Sequence, residues 1–192
     1  MKHIANLILF ALLGAGFTNR VQAADEEKIK LTVIGGHETD PRDRGRPVVL
    51  IGNALGVTPE VFREAFSHVK PAPAGSEPEP AQVNRNKAAL LGALSRYGVT
   101  NDMLDRVSNY YRYQPGSGHL WPTTPATAFA TIKNGAVTSI SIPEAGAGYS
   151  SLPKISVLGH PEIALKATLA FGRDLKTNGS LSAITVETRA SQ

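Results

Sequence analysis

Cysteine is absent from all 192 residues of this chain. The protein can therefore form no disulfide, offer no thiolate ligand to a metal ion, and carry no lipid-bearing cysteine of a lipoprotein. The chain also lacks the GxSxG pattern of serine hydrolases, the HExxH zinc motif and the DxDxDG calcium loop. Its fold must be held together by core packing alone, which the 42% hydrophobic content allows.

Basic residues are only in slight surplus, and they never stand in a run of more than two. The 20 Lys and Arg residues against 16 Asp and Glu residues give a net charge of +4, and the sequence pI is near 9.4. A charge distribution of this kind gives no electrostatic support for binding to nucleic acid or to an anionic membrane. We therefore expect no nucleic-acid partner.

One long apolar run is present, and it stands at the start of the chain. A short basic start is followed by an apolar segment over residues 4–17 and by small or β-branched residues up to Ala23. This order is typical of a bacterial secretory signal peptide, residues 1–23, cleaved after Ala23. The alternative is a membrane anchor, but a 14-residue helix spans about 21 Å, short of the roughly 30 Å hydrocarbon core. We therefore expect an exported protein, periplasmic or extracellular, with no membrane span in the mature chain.

The mature chain divides into segments of different hydrophobic period. Residues 24–46 read as one half-buried strand and a polar loop, because apolar and polar residues alternate from Lys28 to Ile34. Residues 47–113 read as about four short helices, with a proline-rich linker at 70–79 and a helix start at Thr58-Pro59. Residues 114–125 form a connecting loop before the period changes to two.

Residues 126–192 contain an internal repeat. The segment Asn134–Ile142 matches Asn178–Val186 position for position, and each copy opens with the Asn-Gly pair that favours a β-hairpin turn. A duplicated hairpin joined by one further strand predicts an antiparallel module of about five strands. The predicted fold class is therefore α+β: a leading strand, a small helical cluster and an antiparallel β-module built on a duplicated hairpin.

Between the two copies, the chain follows a GxGYxxxPxVxV pattern with isoleucine at the first valine position, and the matching residues are Gly146, Gly148, Tyr149, Pro153, Ile155 and Val157. From about residue 126 to residue 186 the chain resembles β-hairpin repeats of exported bacterial surface proteins and phage tail proteins. The resemblance implies structural roles for the tyrosine and proline, a scaffold for display or binding, and no catalytic residues. The helical part is similar to uncharacterised exported bacterial proteins, and that similarity implies no activity.

The first candidate site is the polar loop after the leading strand. His37, Asp40 and Asp43 offer an imidazole and two carboxylates, a set that suits a divalent metal ion, and functional residues often lie on such loops. The alternative interpretation is a salt-bridged loop, since three arginines at positions 42, 44 and 46 interleave with the acids. The spacing matches no established metal motif and favours the salt-bridged loop.

The second candidate site is an aromatic-rich stretch between the helical and β segments. Tyr110, Tyr113, His119 and Trp121 are residue types that stack on sugar rings or bond to sugar hydroxyls, so they are candidate glycan-contact residues. The alternative is that these rings bury the joint between two small hydrophobic cores.

The sequence favours an exported, non-catalytic interaction or binding protein, with a glycan or an envelope protein as its partner and with no cofactor. The alternative is a metal-dependent hydrolase of envelope polymers that uses His37, Asp40 and Asp43. A third hypothesis is a truncated relative of a larger surface protein, because the second copy of the repeat stops before its own GxGY pattern. Such a chain would need a partner to cover an exposed strand edge.

Overall fold

The fold is α+β, as the sequence predicts. The structure, a computed structural model, describes residues 26–70, 79–112 and 119–187, so the predicted signal peptide and its cleavage site lie outside the described residues. Four helices and six strands form within these ranges. In chain order they are β1 (Glu26–Ile34), α1 (Val48–Leu55), α2 (Pro59–Ser67), α3 (Pro80–Leu94), α4 (Asn101–Tyr110), β2 (Thr127–Lys133), β3 (Ala136–Glu144), β4 (Lys154–Val157), β5 (Leu165–Ala170) and β6 (Ser180–Val186). None of the helices in the described ranges is long and apolar enough to cross a bilayer.

The helices begin where the sequence signals place them. Thr58 caps α2 by accepting a hydrogen bond from the Val61 N–H at 3.3 Å, and Thr100 caps α4 in the same way. Such caps satisfy backbone donors that have no partner within the helix. The third helix ends at Leu94, and a 3-10 helix over Ser95–Tyr97 follows it directly.

The helices enclose a core around α1. Six of the eight residues of α1 are buried, so this helix is apolar on nearly every side, whereas α2 and α4 each bury one face. Burial on all sides is typical of a helix at the centre of a domain. The buried members of this core are Val48, Leu50, Ile51, Ala54, Leu55, Val57, Phe62, Ala65, Leu90, Leu94, Val99, Leu104, Val107, Tyr111 and Trp121.

The leading strand pairs with two strands of the β-module, although it is separated from them in the sequence by the helical region. The four-stranded sheet has the order β3-β2-β1-β4, with every pair antiparallel, so β1 lies inside the sheet. Ile29 pairs with Ala130 in β2, and Leu31 pairs with Val157 in β4. Alternation in the sequence predicts that β1 is half-buried, but it carries no information about which strands cover its edges.

The hairpin prediction is right for the first copy of the repeat and wrong in detail for the second. Asn134 and Gly135 have φ values of 54° and 75°, the two positive angles that a type I′ turn between β2 and β3 requires. β5 and β6 also pair, but residues 171–179 connect them, and Asn178 is only 1% exposed. The second Asn-Gly pair is therefore the end of a longer connection and not a two-residue hairpin turn, and the Asn178 side chain is buried in the core.

Asn178 joins the two cores of the molecule. Its Nδ2 donates to the Leu50 carbonyl of α1 and to the Tyr111 hydroxyl, each at 2.9 Å, and its Oδ1 accepts from the Gly172 N–H at 3.1 Å. A buried amide with all of these partners satisfies the requirement that buried polar groups be hydrogen-bonded. The Asn178 side chain thus hydrogen-bonds the connection between β5 and β6 to the helical cluster.

Residues 145–153 connect the segment before β2 to the segment before β6. The Gly148 and Tyr149 N–H groups donate to the Asn178 and Gly179 carbonyls at 2.9 Å, and the buried Tyr149 hydroxyl accepts from the Ala126 N–H at 3.0 Å. Gly148 has φ of 83°, and a Cβ there would lie 2.7 Å from the Pro122 carbonyl oxygen. Only glycine fits this turn, both in conformation and in space.

Candidate functional site

His37, the first residue of the predicted metal set, is part of an aromatic cluster. Its ring stacks on Tyr149 with centroids 5.1 Å apart and an interplanar angle of 8°, and it meets Trp121 edge-on at 6.4 Å. Its Nδ1 lies 3.2 Å from the Gly148 carbonyl oxygen, a contact in which the ring nitrogen donates. The imidazole therefore holds the loop after β1 against residues 145–150.

Asp40 and Asp43 are each held by an arginine. The Arg42 backbone N–H donates to the Asp40 carboxylate at 2.9 Å, and the Arg42 guanidinium holds the pKa of that carboxyl well below its usual range. Asp43 is buried, and Arg63 of α2 donates to its two oxygens at 2.7 and 2.9 Å. Two parallel bonds of this kind form the strong fork geometry of an arginine–carboxylate pair.

The structure does not bring the predicted metal set together. In residues 26–70, 79–112 and 119–187, no group of three or more His, Asp or Glu side chains is arranged to hold a metal ion. The geometry of Asp40 and Asp43 is that of the salt-bridged loop, with one difference from the sequence interpretation. The partner of Asp43 is Arg63, which lies 20 residues further along the chain, rather than one of the interleaved arginines of the loop.

Hydrogen bonds also fix the start of this loop. Glu38 accepts from the Gly36 N–H at 3.1 Å and from the Ser151 hydroxyl, and its own carbonyl accepts from the Ser150 hydroxyl at 2.8 Å. The hydrogen bond from Ser151 is the main reason why the pKa of Glu38 lies below its ordinary value. The loop is thus fastened to residues 150–151 before it turns toward α1.

Of the predicted glycan-contact residues that the structure describes, Trp121 and Tyr110 do not present an open aromatic surface. Trp121 is 3% exposed, and its Nε1 donates to the Gly148 carbonyl at 2.9 Å, so its ring face is not available to a sugar. Tyr110 is half-buried and packs edge-on against Tyr111 at 5.0 Å, while His119 is exposed. Tyr113 lies outside the described residues. For Trp121 and Tyr110 the geometry is that of rings that bury the joint between the cores.

Sequence reasoning missed a cavity that we call the arginine cavity. It has a volume of about 250 Å³ and lies between the loop after β1 and the end of α2. The lining residues are Arg42, Asp43, Arg44, Arg46, Val48, Arg63, Phe66, Ser67 and Val69. Four arginines therefore line one small space, and among the described residues Asp43 is its single acidic lining residue.

Local structure explains why the loop arginines reach this cavity. A 3-10 turn over Pro41–Asp43, capped by Asp40, ends at Arg44 in the left-handed conformation, with φ of 52°. The chain then bends through Gly45, and the Arg46 guanidinium lies 4.5 Å from the centre of the Phe66 ring of α2. A cation over an aromatic face is attracted by the electron density of the ring.

The alternating arginines were visible in the sequence, but they indicated only pairing within the loop. Arg63 and Phe66 lie on one face of a helix that the sequence did not place beside the loop. The cavity thus depends on a tertiary contact between α2 and the loop.

No protein-family model, curated protein or solved structure matches this chain. The candidate site therefore rests on the geometry of the chain itself.

Proposed function

We propose that this protein is an exported, non-catalytic binding protein of the cell envelope or extracellular space, and that its ligand binds as an anion in the arginine cavity. The observation that carries this proposal is the excess of positive charge there. Four arginines and one acid, Asp43, are among the residues that line the cavity, and the carboxylates of the loop, Asp40 and Asp43, each already accept hydrogen bonds from an arginine. Export is proposed from the signal-peptide pattern of residues 1–23.

The four arginines have different tasks. Arg42 and Arg63 hold the acids in place, and Arg46 lies over Phe66. Arg44 is exposed and makes no side-chain hydrogen bond or ion pair within the residues that the structure describes. Because a guanidinium presents a planar array of donors that matches carboxylate and phosphate oxygens, Arg44 is the first group we expect an anion to meet.

The chemistry of the lining supports binding rather than catalysis. A guanidinium stays protonated at any ordinary pH, so it can hold and orient an anion but cannot accept or release a proton. The low pKa of Asp40 likewise keeps that carboxyl ionised and bonded to Arg42. These are the properties of a fixed recognition surface.

The volume of the cavity limits the size of the ligand that it can hold. A volume of about 250 Å³ corresponds to about eight water molecules at their liquid volume. That is room for a small anion or for one acidic unit of a longer molecule. The remaining walls, Val48, Phe66 and Val69, would favour a ligand that carries a short apolar portion beside its charge.

Thermal unfolding with added anions tests the proposal. The protein beginning at Ala24 would be heated in low salt with phosphate, sulfate or a di- or tricarboxylate, and with chloride at matched ionic strength. A ligand at one hundred times its Kd stabilises the folded state by about 2.7 kcal/mol, which raises the midpoint by roughly 5–10 °C in a protein of this size. We expect such a shift for at least one of these anions.

Two variants locate the effect. Arg44→Gln removes one guanidinium from the cavity and is expected to abolish most of the anion-dependent shift. Arg85→Gln, an exposed arginine of α3 outside the cavity, is the matched control and should keep the full shift. An equal shift in both variants would contradict the proposal, and so would the absence of any shift across the panel.

A further inference from the structure

The four-stranded sheet has one buried face and one open face. The buried face packs into the core of the β-module, with Leu31, Ala128, Ala130, Ile132, Ile155 and Val157 among its residues. Side chains alternate along each strand, so the neighbours of these residues point to the opposite side. We call that side the outer face; it consists of the outward side chains of β1, β2, β3 and β4.

The outer face concentrates lysines that are dispersed in the sequence. Lys28 and Lys30 lie on β1, Lys133 on β2 and Lys154 on β4, and all four are exposed. Register brings these strands side by side, about 4.8 Å apart. Because runs of basic residues are absent from the chain, this patch cannot be predicted from the sequence.

Acidic residues offset only part of this charge. Glu26 is paired across the sheet with Lys133, and Glu144 of β3 is paired with Thr127. The Lys28 ammonium lies 4.8 Å from the centre of the Phe129 ring, the one aromatic side chain among the described strands of this sheet. The outer face therefore keeps a net positive charge and has no row of aromatic rings.

Large aliphatic side chains stand beside these lysines. Ile34, at the end of β1, is 63% exposed and lies directly opposite Lys154. Leu152 and Leu158, which stand two residues before and one residue after β4, are 55% and 80% exposed. These three side chains add exposed apolar area to the charged groups of the outer face.

We propose that the outer face docks on an anionic phospholipid surface. Lysines would meet the phosphate groups, and Ile34 and Leu158 would enter the boundary between the headgroups and the acyl chains. Interfacial binding of this type depends on buried apolar area together with attraction to anionic lipid. A strand of nucleic acid would need several rings on which to stack, and a polysaccharide would gain little from exposed leucines, so these partners fit the outer face less well.

This proposal is independent of the arginine cavity, and the test keeps the two apart. The protein beginning at Ala24 retains every described helix and strand, and it lacks the apolar segment of residues 4–17, which could bind lipid by itself. It would be sedimented with vesicles of equal parts phosphatidylglycerol and phosphatidylcholine, and with vesicles of phosphatidylcholine alone. We expect binding to the anionic vesicles that weakens as salt is added.

Three variants test the residues of the outer face. The double variant Lys28→Gln/Lys30→Gln is expected to weaken vesicle binding about 30-fold, since each lysine near an anionic surface contributes about 1 kcal/mol. Ile34→Thr/Leu158→Ser should also weaken it, because the apolar contact is lost. The matched control Lys166→Gln/Lys176→Gln removes two exposed lysines that lie on β5 and in the loop after it, and should bind as the parent does.

Several outcomes would overturn the proposal. Equal sedimentation with neutral and anionic vesicles would contradict the role of the lysines, and an absence of binding to both would contradict docking altogether. Binding to DNA or dextran sulfate, but not to vesicles, would assign the outer face to a soluble polyanion instead. If Arg44→Gln removed vesicle binding while the lysine variant kept it, the lipid phosphate would be in the arginine cavity and the outer face would have no part. The thermal midpoint of each variant checks that it is folded.

Discussion

The buried amide of Asn178 provides the sharpest test of how the two cores are held together. In Asn178→Ala, the Tyr111 hydroxyl, the Leu50 carbonyl and the Gly172 N–H all lose a hydrogen bond. A buried polar group left without its partner costs about 1–3 kcal/mol, and the vacated space adds a cavity term. Since Gly172 is partly exposed, water can replace one of these bonds. We expect a total loss of about 3–5 kcal/mol in the free energy of unfolding.

The other Asn-Gly pair is the matched control for this variant. Asn134 occupies the corresponding position in the first copy of the repeat, but it is exposed in a tight turn with φ of 54°. Asn134→Ala should cost about 1–2 kcal/mol, the penalty for a left-handed alanine. Urea denaturation of the two variants measures the difference at equal m values. Equal losses, or a smaller loss for Asn178→Ala, would refute the view that this side chain connects the cores.

Three further predictions concern the same framework. Asp43→Asn should lower the free energy of unfolding by about 2 kcal/mol or more in urea titration, because it leaves the guanidinium of Arg63 without its buried carboxylate; an unchanged midpoint would contradict this. Burial raises the pKa of Tyr111 from 10.0 to about 12, so the stability that its neutral form supplies is complete below pH 10 and is lost as the pH rises toward 12. Tyr111→Phe should therefore remove about 2–3 kcal/mol of the alkaline dependence, measured as unfolding against pH. Trp121→Ala should lower the free energy of unfolding by about 3–5 kcal/mol in thermal or urea unfolding, since it leaves a cavity in place of a buried ring and removes one donor to the Gly148 carbonyl. A loss below about 1 kcal/mol would contradict the burial of this ring.

Local signals in the sequence predicted the helices well. Hydroxyl caps, prolines in the first turn and glycines after the last turn each reflect the demands of one helix end, so they need no knowledge of the rest of the fold. Thr58, Thr100 and Gly56 lie where those rules place them. The same is true of the Asn134-Gly135 turn, whose two positive φ angles belong to the turn itself.

The second copy of the repeat shows that local sequence rules do not predict tertiary contacts. Asn178-Gly179 has the same two residues, yet the hydrogen bonds of Asn178 lead to α1 and to Tyr111, 128 and 67 residues away in the chain. A turn signal describes what a dipeptide can do locally, and a buried tertiary contact can override it. The arginine cavity escaped prediction for the same reason, because the Arg63–Asp43 pair joins residues that no local pattern connects.

The joint around Gly148 gives the GxGY segment a definite task in this chain. Its carbonyl accepts from Trp121 at 2.9 Å and from His37 at 3.2 Å, while its N–H donates to the Asn178 carbonyl. Three segments that are far apart in sequence therefore meet at one residue, and a side chain there would collide with the Pro122 carbonyl. Tyr149 adds its ring against His37. Because the loop that begins at His37 leads directly into the arginine cavity, this joint fixes one wall of the proposed binding site relative to the β-module.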